Sequence, residues 1–282
     1  MNYRHAYHAG NFADCLKHAA LVAVLTHLRK KETPFVFIDT HAGRGVYDLG
    51  GEEARKTGEA KDGILRLLTG DPFEGTLERY TSLVREAGEG RYPGSPLIAA
   101  KLLRKQDRLA AIEKHAQEHE ALVALMKRYR NCRAVLGDGY AELKKLLPPP
   151  ERRGCILIDP PFEAPDEFKQ AARALVDAHT RFPEGIYLFW YPAKEKAALE
   201  ATMGELCNAG ISPVLKIEFD TGGSAAPAAE GRGPKLTAAG LLAVNPSLGF
   251  EEDMRRVLGC FAARLALGAK PQVIVQDIVF NT

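Results

Sequence analysis

The stretch ILIDPPF, residues 156–162, decides the fold class of this chain. An apolar run typical of a buried strand ends at Asp159, and the two prolines that follow cannot donate hydrogen bonds to a sheet. Because proline fixes its own φ, Asp159 and Phe162 are held with little freedom. A small, rigid site at a strand end is one interpretation. An ordinary turn is the other, since Asp and Pro are common turn residues.

Composition indicates a globular protein whose net charge says little about its partner. The 282 residues are enough for one large domain, or for one domain with an insertion. Hydrophobic residues make up 46% and charged residues 26%. The net charge of +2 gives no global signal for nucleic acid, so any basic surface must be local.

Cysteine use and hydropathy bear on the compartment. Five scattered cysteines without a CxxC pair predict reduced thiols in the cytoplasm and argue against a zinc ribbon. The N-terminal stretch is too polar for a signal peptide, and no apolar run approaches membrane-spanning length. We therefore expect a cytoplasmic protein that does not associate with membranes.

Strand-like and helix-like patterns alternate along most of the chain. Besides the strand in ILIDPPF, apolar runs predict strands at 35–38, 108–113, 134–136, 186–191, 214–219, 240–245 and 273–279. Helical spacing predicts helices near 11–31, 97–105, 114–129, 141–147, 167–178, 193–209 and 250–267. Such alternation predicts a mostly parallel sheet with helices on both faces.

The character changes between residues 46 and 96. Glycines and charges interrupt two moderate helical patterns, near 62–68 and 76–87. We expect a small inserted helical subdomain at 46–96, and a core formed by 1–45 and 97–282.

Four features follow successive predicted strands, where ligands bind in open parallel sheets. The loop 39–45, DTHAGRG, is rich in glycine but lacks the GxGxxG of dinucleotide sites. Glu113 could accept hydrogen bonds from ribose hydroxyls, and Asp138–Gly139 could take the amino group of an adenine. Asp159 and Phe162 complete the set. A nucleoside with a carboxylate and an aromatic ring, but no phosphate, fits S-adenosylmethionine better than NAD or ATP.

Each feature also has a structural explanation. Glu113 could be a solvated acid at a helix start, and Gly43 and Gly45 could be turn glycines. Taken alone, Asp138 is better explained as the N-cap of the following helix. The recurrence of all four features at successive strand ends favours the functional interpretation.

These motifs resemble the Rossmann-like class I S-adenosylmethionine-dependent methyltransferases. The α/β fold implied is a mostly parallel seven-stranded sheet with helices on both faces and a small helical insertion. Five segments further resemble the bacterial 23S rRNA (adenine-N6)-methyltransferase family called RlmJ. They are YRHAYHAGNFADCLKH (3–18), DTHAGRGVYDL (39–49), YPGSPLIA (92–99), IYLFWYP (186–192) and LTAAGLLAVNP (236–246).

The resemblance implies an activity and roles for single residues. It implies methyl transfer from S-adenosylmethionine to the N6 amine of an adenine in 23S rRNA. Asp159 matches the catalytic position, with Phe162 stacking on the base where the family often has tyrosine. Tyr3 and His5 match residues near the target adenine. Residues matching the cofactor site are Lys17, His18, His41, Ser95, Glu113, Asp138 and Gly139, and Lys17 is a plausible partner for the methionine carboxylate.

Several other features of the sequence have more than one interpretation. His5 and His8 are three residues apart, and His115 and His119, four apart on a predicted helix, have a spacing that can bind zinc. No third ligand is evident, however, and we expect no metal. Basic runs at 29–31, 101–108 and 127–133 could contact RNA phosphates or could be solvated helix faces. The glycine-rich loop 221–234, with Arg232 and Lys235 close by, could close over RNA; mobility in the free protein is the preferred interpretation.

Other functions stay open at this stage. A DNA adenine methyltransferase and a protein-glutamine methyltransferase use related motifs. The first would need a duplex-reading domain, and none is evident; the second usually has Asn where this chain has Asp159. An RNA-binding module without enzymatic activity would not need an acid at each strand end.

For the oligomeric state, we expect a monomer.

Overall fold

A computed structural model of the chain describes residues 4–224 and 236–279. The strands are β1 (Val36–Asp39), β2 (Val46–Asp48), β3 (Arg91–Pro93), β4 (Arg108–Glu113), β5 (Cys132–Leu136), β6 (Gly154–Ile158), β7 (Ile186–Pro192), β8 (Val214–Asp220), β9 (Ala238–Val244) and β10 (Gln272–Ile278). The helices are α1 (Phe12–Leu28), α2 (Glu52–Thr57), α3 (Ile64–Leu67), α4 (Gly75–Arg85), α5 (Ser95–Leu102), α6 (Ala116–Met126), α7 (Gly139–Leu146), α8 (Glu167–Arg181), α9 (Lys196–Asn208) and α10 (Phe250–Arg264). Most of the glycine-rich loop lies outside the described residues, as do Tyr3, Arg232 and Lys235.

The main sheet has the order β10-β8-β9-β7-β6-β1-β4-β5. The run from β5 to β7 is parallel, whereas β9 is antiparallel to both β7 and β8. The predicted Rossmann-like α/β architecture is therefore confirmed.

The expected number of strands in the sheet was wrong. The sheet has eight strands rather than seven, because β10 pairs antiparallel with β8 along its whole length, from Gln272 opposite Asp220 to Ile278 opposite Val214. The sequence predicted this strand near its observed place. Four of its seven residues are exposed, as is typical of a strand at the edge of a sheet, and nothing in the sequence indicated that it would extend the main sheet.

Helix α1 is buried around nearly its whole circumference. Fifteen of its 17 residues are buried, since it packs against the sheet, α4, α5 and α10. The Asn11 side chain caps it by accepting from the Asp14 backbone N–H at 2.9 Å. Burial on all sides carries Asp14, Lys17 and His18 into the interior. Charged groups there need partners, which the site supplies.

The segment between β2 and β3 contains α2, α3 and α4, and its ends are joined by the two-stranded β2–β3 ribbon. The two predicted helices correspond to α3 and α4, whereas α2 and the ribbon were not predicted. Ile64 and Tyr80 belong to the same hydrophobic cluster as Leu16 of α1. The segment thus shares the main core. Its status as a subdomain, 46–96, remains a prediction.

Within the described ranges, no helix has both the length and the apolar character that crossing a bilayer requires.

Gly63 provides a test of how the inserted segment holds the N-terminal residues. The Ile64 backbone N–H donates to the Gly10 carbonyl at 2.8 Å. A Cβ on Gly63 would lie 2.2 Å from that oxygen and 2.6 Å from the Asn11 carbonyl carbon. We expect Gly63→Ala to lower the free energy of unfolding by about 1–3 kcal/mol, measured by urea denaturation.

Gly259 on α10 is the matched control, because a Cβ there meets nothing within 4 Å. Gly259→Ala should raise the free energy of unfolding by about 0.5–1 kcal/mol, since alanine favours a helix interior. Equal stability of the two variants would contradict the assigned contact.

Candidate active site

The site lies at the carboxyl ends of the parallel strands, beside the point where the strand order reverses. The chain runs from β1 outward to β4 and β5, then returns to place β6 on the other side of β1. Such a switch point is where open α/β sheets bind ligands. Thr40, at the end of β1, joins β1 to β6. Both its backbone N–H (3.1 Å) and its hydroxyl (2.9 Å) donate to the Leu157 carbonyl.

Lys17 lies between two carboxylates at the centre of the site. Its Nζ is 2.5 Å from Asp159 Oδ2 and 2.9 Å from Asp14 Oδ1. Burial lowers the pKa of Lys17, but the two carboxylates outweigh it and raise that pKa above its usual value. The side chain of Asp159 is 15% exposed and that of Lys17 only 5%. Asp159 is therefore nearer the surface than the ammonium group with which it pairs.

Asp14 extends this arrangement toward the N-terminus. Its Oδ2 accepts from the Gly10 N–H at 2.9 Å and lies 2.9 Å from His5 Nε2. Burial raises the pKa of Asp14, but His5 and Lys17 outweigh burial and hold that pKa well below its usual value. His5, Asp14, Lys17 and Asp159 thus form one connected series, and the His5 ring lies 4.9 Å from the Tyr47 ring.

Asp39 ends β1 and is fully buried beside this series. Its Oδ1 accepts from the His41 N–H at 3.3 Å, whereas Oδ2 has no hydrogen-bond partner among the described residues. Burial raises the pKa of Asp39 to about 7; the Ser95 hydroxyl opposes this, and the negative charge of Asp159 adds to it. An unpaired oxygen in the interior of a site is suited to a ligand that donates a hydrogen bond.

His41 leaves β1 with its ring held on two sides. Its Nδ1 is 2.8 Å from the Thr40 hydroxyl, and the Tyr140 ring meets it edge-on at 5.2 Å. Burial lowers the pKa of His41 to about 4, so the ring is neutral near pH 7. A neutral imidazole can line a nucleoside site without adding charge.

Glu113 and the Asp39–Gly45 loop are joined by backbone contacts. The Glu113 carboxylate accepts from the Gly43 N–H at 2.9 Å and from the His115 N–H at 2.7 Å. A carboxylate oxygen can accept more than one hydrogen bond, so capacity for ribose hydroxyls remains. The loop and the end of β4 are thus fixed relative to each other.

Asp138 and Gly139 begin α7. Asp138 Oδ1 accepts from the Tyr140 and Ala141 N–H groups, both at 3.2 Å. Asp138 is therefore the N-cap of α7, as the structural explanation of this residue predicted. Its Oδ2 pairs with Lys114 at 3.2 Å. A Cβ on Gly139 would lie 2.2 Å from the Thr40 carbonyl oxygen, so only glycine allows α7 to approach β1 this closely.

His18 lies deeper than the other predicted cofactor residues. Its Nδ1 is 2.7 Å from the Tyr92 hydroxyl, which is 2.9 Å from that of Tyr80. Burial lowers the pKa of His18 to about 3, and Nε2 has no partner within the described parts of the chain. The structure assigns His18 contacts beneath the site rather than at its opening.

Phe162 occupies strained backbone within an aromatic cluster. Its φ is 52°, in the left-handed region that costs a residue with a side chain about 1–2 kcal/mol. Its ring lies 4.4 Å from that of Phe168 and 5.7 Å from that of Trp190. Such strain persists where surrounding contacts impose it, and it is common at functional sites.

The sequence interpretation missed Asp14 and Asp39 as site residues. Asp14 lies one helical turn before Lys17, a spacing that indicates an ion pair. Asp39 ends a buried apolar strand, which indicates an interior acid. Both signals are present in the sequence but are equally typical of a cap and a turn.

Comparison with known proteins identifies the family. A family model described as ribosomal RNA large subunit methyltransferase D, RlmJ, matches residues 32–274. Over 283 residues, covering 99% of both chains, the sequence is 37% identical to ribosomal RNA large subunit methyltransferase J of Escherichia coli K12. The chain belongs to this family. The family that was predicted from its resemblance to segments such as YRHAYHAGNFADCLKH (3–18) and YPGSPLIA (92–99) is thereby confirmed.

Two further relatives agree. The Haemophilus influenzae protein of the same name is 37% identical over 263 residues, which cover 92% of each chain. A crystal structure of a Legionella pneumophila protein is 32% identical, with a TM-score of 0.85 over 96% of this chain and 98% of that one. The fold therefore extends over nearly the whole length of a homologous protein.

The histidine pairs weighed as metal ligands form no cluster. In the described parts of the chain, no three His, Cys, Asp or Glu side chains are arranged to hold a metal ion. His5 instead contacts Asp14, and His8 Nδ1 lies 3.0 Å from Glu59 Oε1.

The raised pKa of Asp39 predicts a pH dependence of stability. In the folded chain Asp39 keeps its proton up to about pH 7, whereas the unfolded chain loses it near 3.8. The unfolded state thus binds fewer protons between these values, so this group's contribution falls as pH rises, by about 4 kcal/mol in all. We expect Asp39→Asn to remove that fall.

The measurement is the free energy of unfolding of wild type minus that of Asp39→Asn, from pH 4 to 7.5. Taking the difference cancels the opposite slope from His18 and His41, whose lowered pKa values favour the folded state as pH rises. Asp71→Asn, at an exposed position, is the control. A difference that does not change with pH would refute the assignment.

Proposed function

We propose that this protein transfers a methyl group from S-adenosylmethionine to the N6 amine of an adenine in 23S rRNA. Family membership supports the reaction class, since the curated relatives are named ribosomal RNA large subunit methyltransferases. The observation that carries the mechanism is the position of Asp159. Its carboxylate lies at the sheet's switch point and is the more exposed member of the ion pair with Lys17.

The residues at the carboxyl edge fit the cofactor by their chemistry. The unpartnered Oδ2 of Asp39 suits a hydrogen-bond donor of the cofactor, and Glu113 has acceptor capacity for its ribose hydroxyls. Gly139 keeps the space beside Thr40 and His41 free of a side chain, and the Ser95 hydroxyl lies beside Asp39. When bound, the cofactor supplies an electrophilic methyl group.

Lys17 is proposed to act in two ways. Its ammonium group offsets the charge of Asp159, and with three donors it can also hold the carboxylate of the methionine moiety. His18 and Asp138 would act beneath and beside the cofactor. His18 sets the position of the Lys17 turn of α1 through Tyr92, and Asp138 caps α7 and could also take the adenine amino group.

Asp159 is proposed to orient the target amine. The N6 lone pair of adenine is delocalised into the ring, so the amine is a poor nucleophile. A carboxylate that accepts one of its hydrogens, with a backbone carbonyl of the Pro160–Pro161 pair accepting the other, favours a pyramidal nitrogen that presents its lone pair. After transfer, the extra proton leaves to Asp159, directly or through water.

Phe162 and the N-terminal residues are proposed to hold the base. The Phe162 ring offers a stacking face for an adenine taken out of its helix. His5, linked to Asp159 through Asp14 and Lys17, would approach the base from the other side together with Tyr3. We further propose that the enzyme acts as a cytoplasmic monomer, with residues 46–96 as an insertion in a core of 1–45 and 97–282.

The direct test maps modified adenines in 23S rRNA by mass spectrometry, in cells with and without the gene. Purified protein is then assayed with labelled S-adenosylmethionine on unmodified 23S rRNA, duplex DNA and protein. Methylation of rRNA alone supports the proposal. Preference for duplex DNA or for glutamine side chains would assign the protein to one of the two rival reactions.

Asp159→Asn should lower kcat by about 10²–10⁴-fold, because the amide cannot accept the amine proton and loses the charge pair with Lys17. S-adenosylmethionine affinity, measured by calorimetry, should change much less. Asp166→Asn, in the exposed turn before α8, is the matched control and should stay near wild type. Near-normal turnover by Asp159→Asn would show that the mechanism is wrong.

His5→Ala should lower kcat/KM for rRNA by about tenfold or more, since the base loses a positioning contact. The Kd for S-adenosylmethionine should change by less than about threefold. His179→Ala, at the far end of α8, controls for the loss of an imidazole. An equal loss of cofactor affinity in His5→Ala would place His5 at the cofactor rather than at the base.

A further inference from the structure

Basic residues that are far apart in sequence converge at the amino ends of the parallel strands. They lie in the segments that lead into β1, β4, β5 and β6 and at the starts of β4 and β5, on the edge opposite to the site. We call this group the amino-edge basic surface. It comprises Arg29, Lys30, Lys31, Arg104, Lys105, Arg108, Lys127, Arg128, Arg130, Arg133, Arg152 and Arg153.

Two arginines join the segments that precede β1, β4 and β6. The Arg104 guanidinium donates to the backbone carbonyls of Arg29, Lys31 and Thr33, and Arg153 donates to those of Leu28 and Thr33. Both guanidinium groups also stack against the ring of a buried phenylalanine, Phe35, at 5.8 and 5.9 Å. The cations are thus held close together by built contacts, despite their mutual repulsion.

The surface is strongly basic, although the whole chain is nearly neutral. It holds 12 of the 38 Lys and Arg residues, and the same segments hold three of the 36 acids. The rest of the sequence carries 26 basic and 33 acidic residues. The near-neutral net charge therefore conceals a strongly positive edge on an otherwise acidic protein.

Few of these charges are neutralised. The three acids, Glu32, Asp107 and Glu151, all pair with Arg104 or Arg108. The other ten cations form no salt bridge with any described residue, and most of them are exposed.

The pKa values of two nearby groups are lowered by the positive charge of this surface. Partial burial lowers the pKa of His27, and the positive charges of Lys30 and Arg153 lower it further. The pKa of Arg153 is itself lowered by burial and by the positive charge of Arg104. A persistent positive field of this kind favours an anionic partner.

The chemistry of the surface favours a phosphate backbone over a protein. Protein interfaces have an apolar centre, whereas nucleic-acid interfaces are polar and strongly positive. No exposed large hydrophobic residue of the described chain belongs to this surface. Leu248 and Val279 follow β9 and β10 on the same edge of the sheet but beyond β7, and the other four lie away from that edge: Leu65, Leu136, Leu267 and Val273. Arginine and lysine at this density suit contacts to phosphates that do not read sequence.

The surface cannot contact the nucleotide that enters the site. The two edges are separated by strands of four to six residues, or about 13–20 Å at 3.3 Å per residue, plus their loops. We propose that the amino-edge basic surface binds the phosphate backbone of an rRNA segment remote from the target adenine. This inference rests on the proposed function for the identity of the RNA, and it adds a second contact with the same molecule.

The test compares two triple variants of the full chain. Lys30→Gln/Lys105→Gln/Arg130→Gln removes one exposed cation from each of three segments of the surface. Arg85→Gln/Arg173→Gln/Arg256→Gln removes three exposed cations from α4, α8 and α10, and is the matched control. Binding is measured on an unmodified 23S rRNA transcript, and on a short hairpin transcript that carries the mapped adenine, over 50–300 mM salt.

The surface variant should lose about tenfold or more in affinity for full-length rRNA near 0.15 M salt. Its slope of log Kd against log salt should be shallower by about 2–3. Its kcat/KM on the short hairpin should match wild type, because that RNA is too small to reach both edges. The control triple should match wild type on both RNAs.

Two results would overturn the inference. One is that both triple variants bind full-length rRNA as wild type does. The other is normal binding to naked rRNA with slow methylation of assembling subunits, which would show that the surface contacts a ribosomal protein. Failure of wild type to methylate any rRNA would refute the proposed function instead. The slope of log Kd against log salt would still test the proposed RNA contact, because measuring it does not require turnover.

Discussion

The ion pairs of Lys17 are the contacts on which the rest of the site depends. One ammonium group lies 2.5 Å from Asp159 and 2.9 Å from Asp14, on a helix buried around nearly its whole circumference. Removing either carboxylate, or the ammonium, would leave buried charge uncompensated, which is among the costly changes in a protein interior. The N-terminal residues, α1 and the end of β6 are therefore held in one arrangement by electrostatics as much as by packing.

Much of the fold could be predicted because its signals are local. Apolar runs between turn residues indicated the strands of the main sheet, and helical spacing indicated α1 within three residues at its C-terminal end. Strand number and the β2–β3 ribbon could not be predicted in the same way. The pairing of β10 at the edge of the sheet depends on tertiary contacts. The three-residue strands β2 and β3 are too short to show a hydrophobic period.

The site was predictable where motifs bring several chemical groups together, and not where burial alone makes a residue special. Asp159 was singled out from the ILIDPPF stretch and Lys17 through family resemblance, and the structure places them in contact. Asp14 and Asp39 were passed over because a buried acid looks, in sequence, like a cap or a turn residue. Their perturbed pKa values arise from desolvation and neighbouring charges, which only the folded chain specifies.

Helix α1 has a consequence beyond its part in the core. Its first turns carry Lys17, and its C-terminal end leads directly into Arg29, so one helix joins the two edges of the sheet. The 12 residues from Lys17 to Arg29 rise by about 18 Å at 1.5 Å per residue. A folded RNA bound in the proposed way, with its adenine in the site and a second segment on the amino-edge basic surface, would have to present the two segments at about this separation.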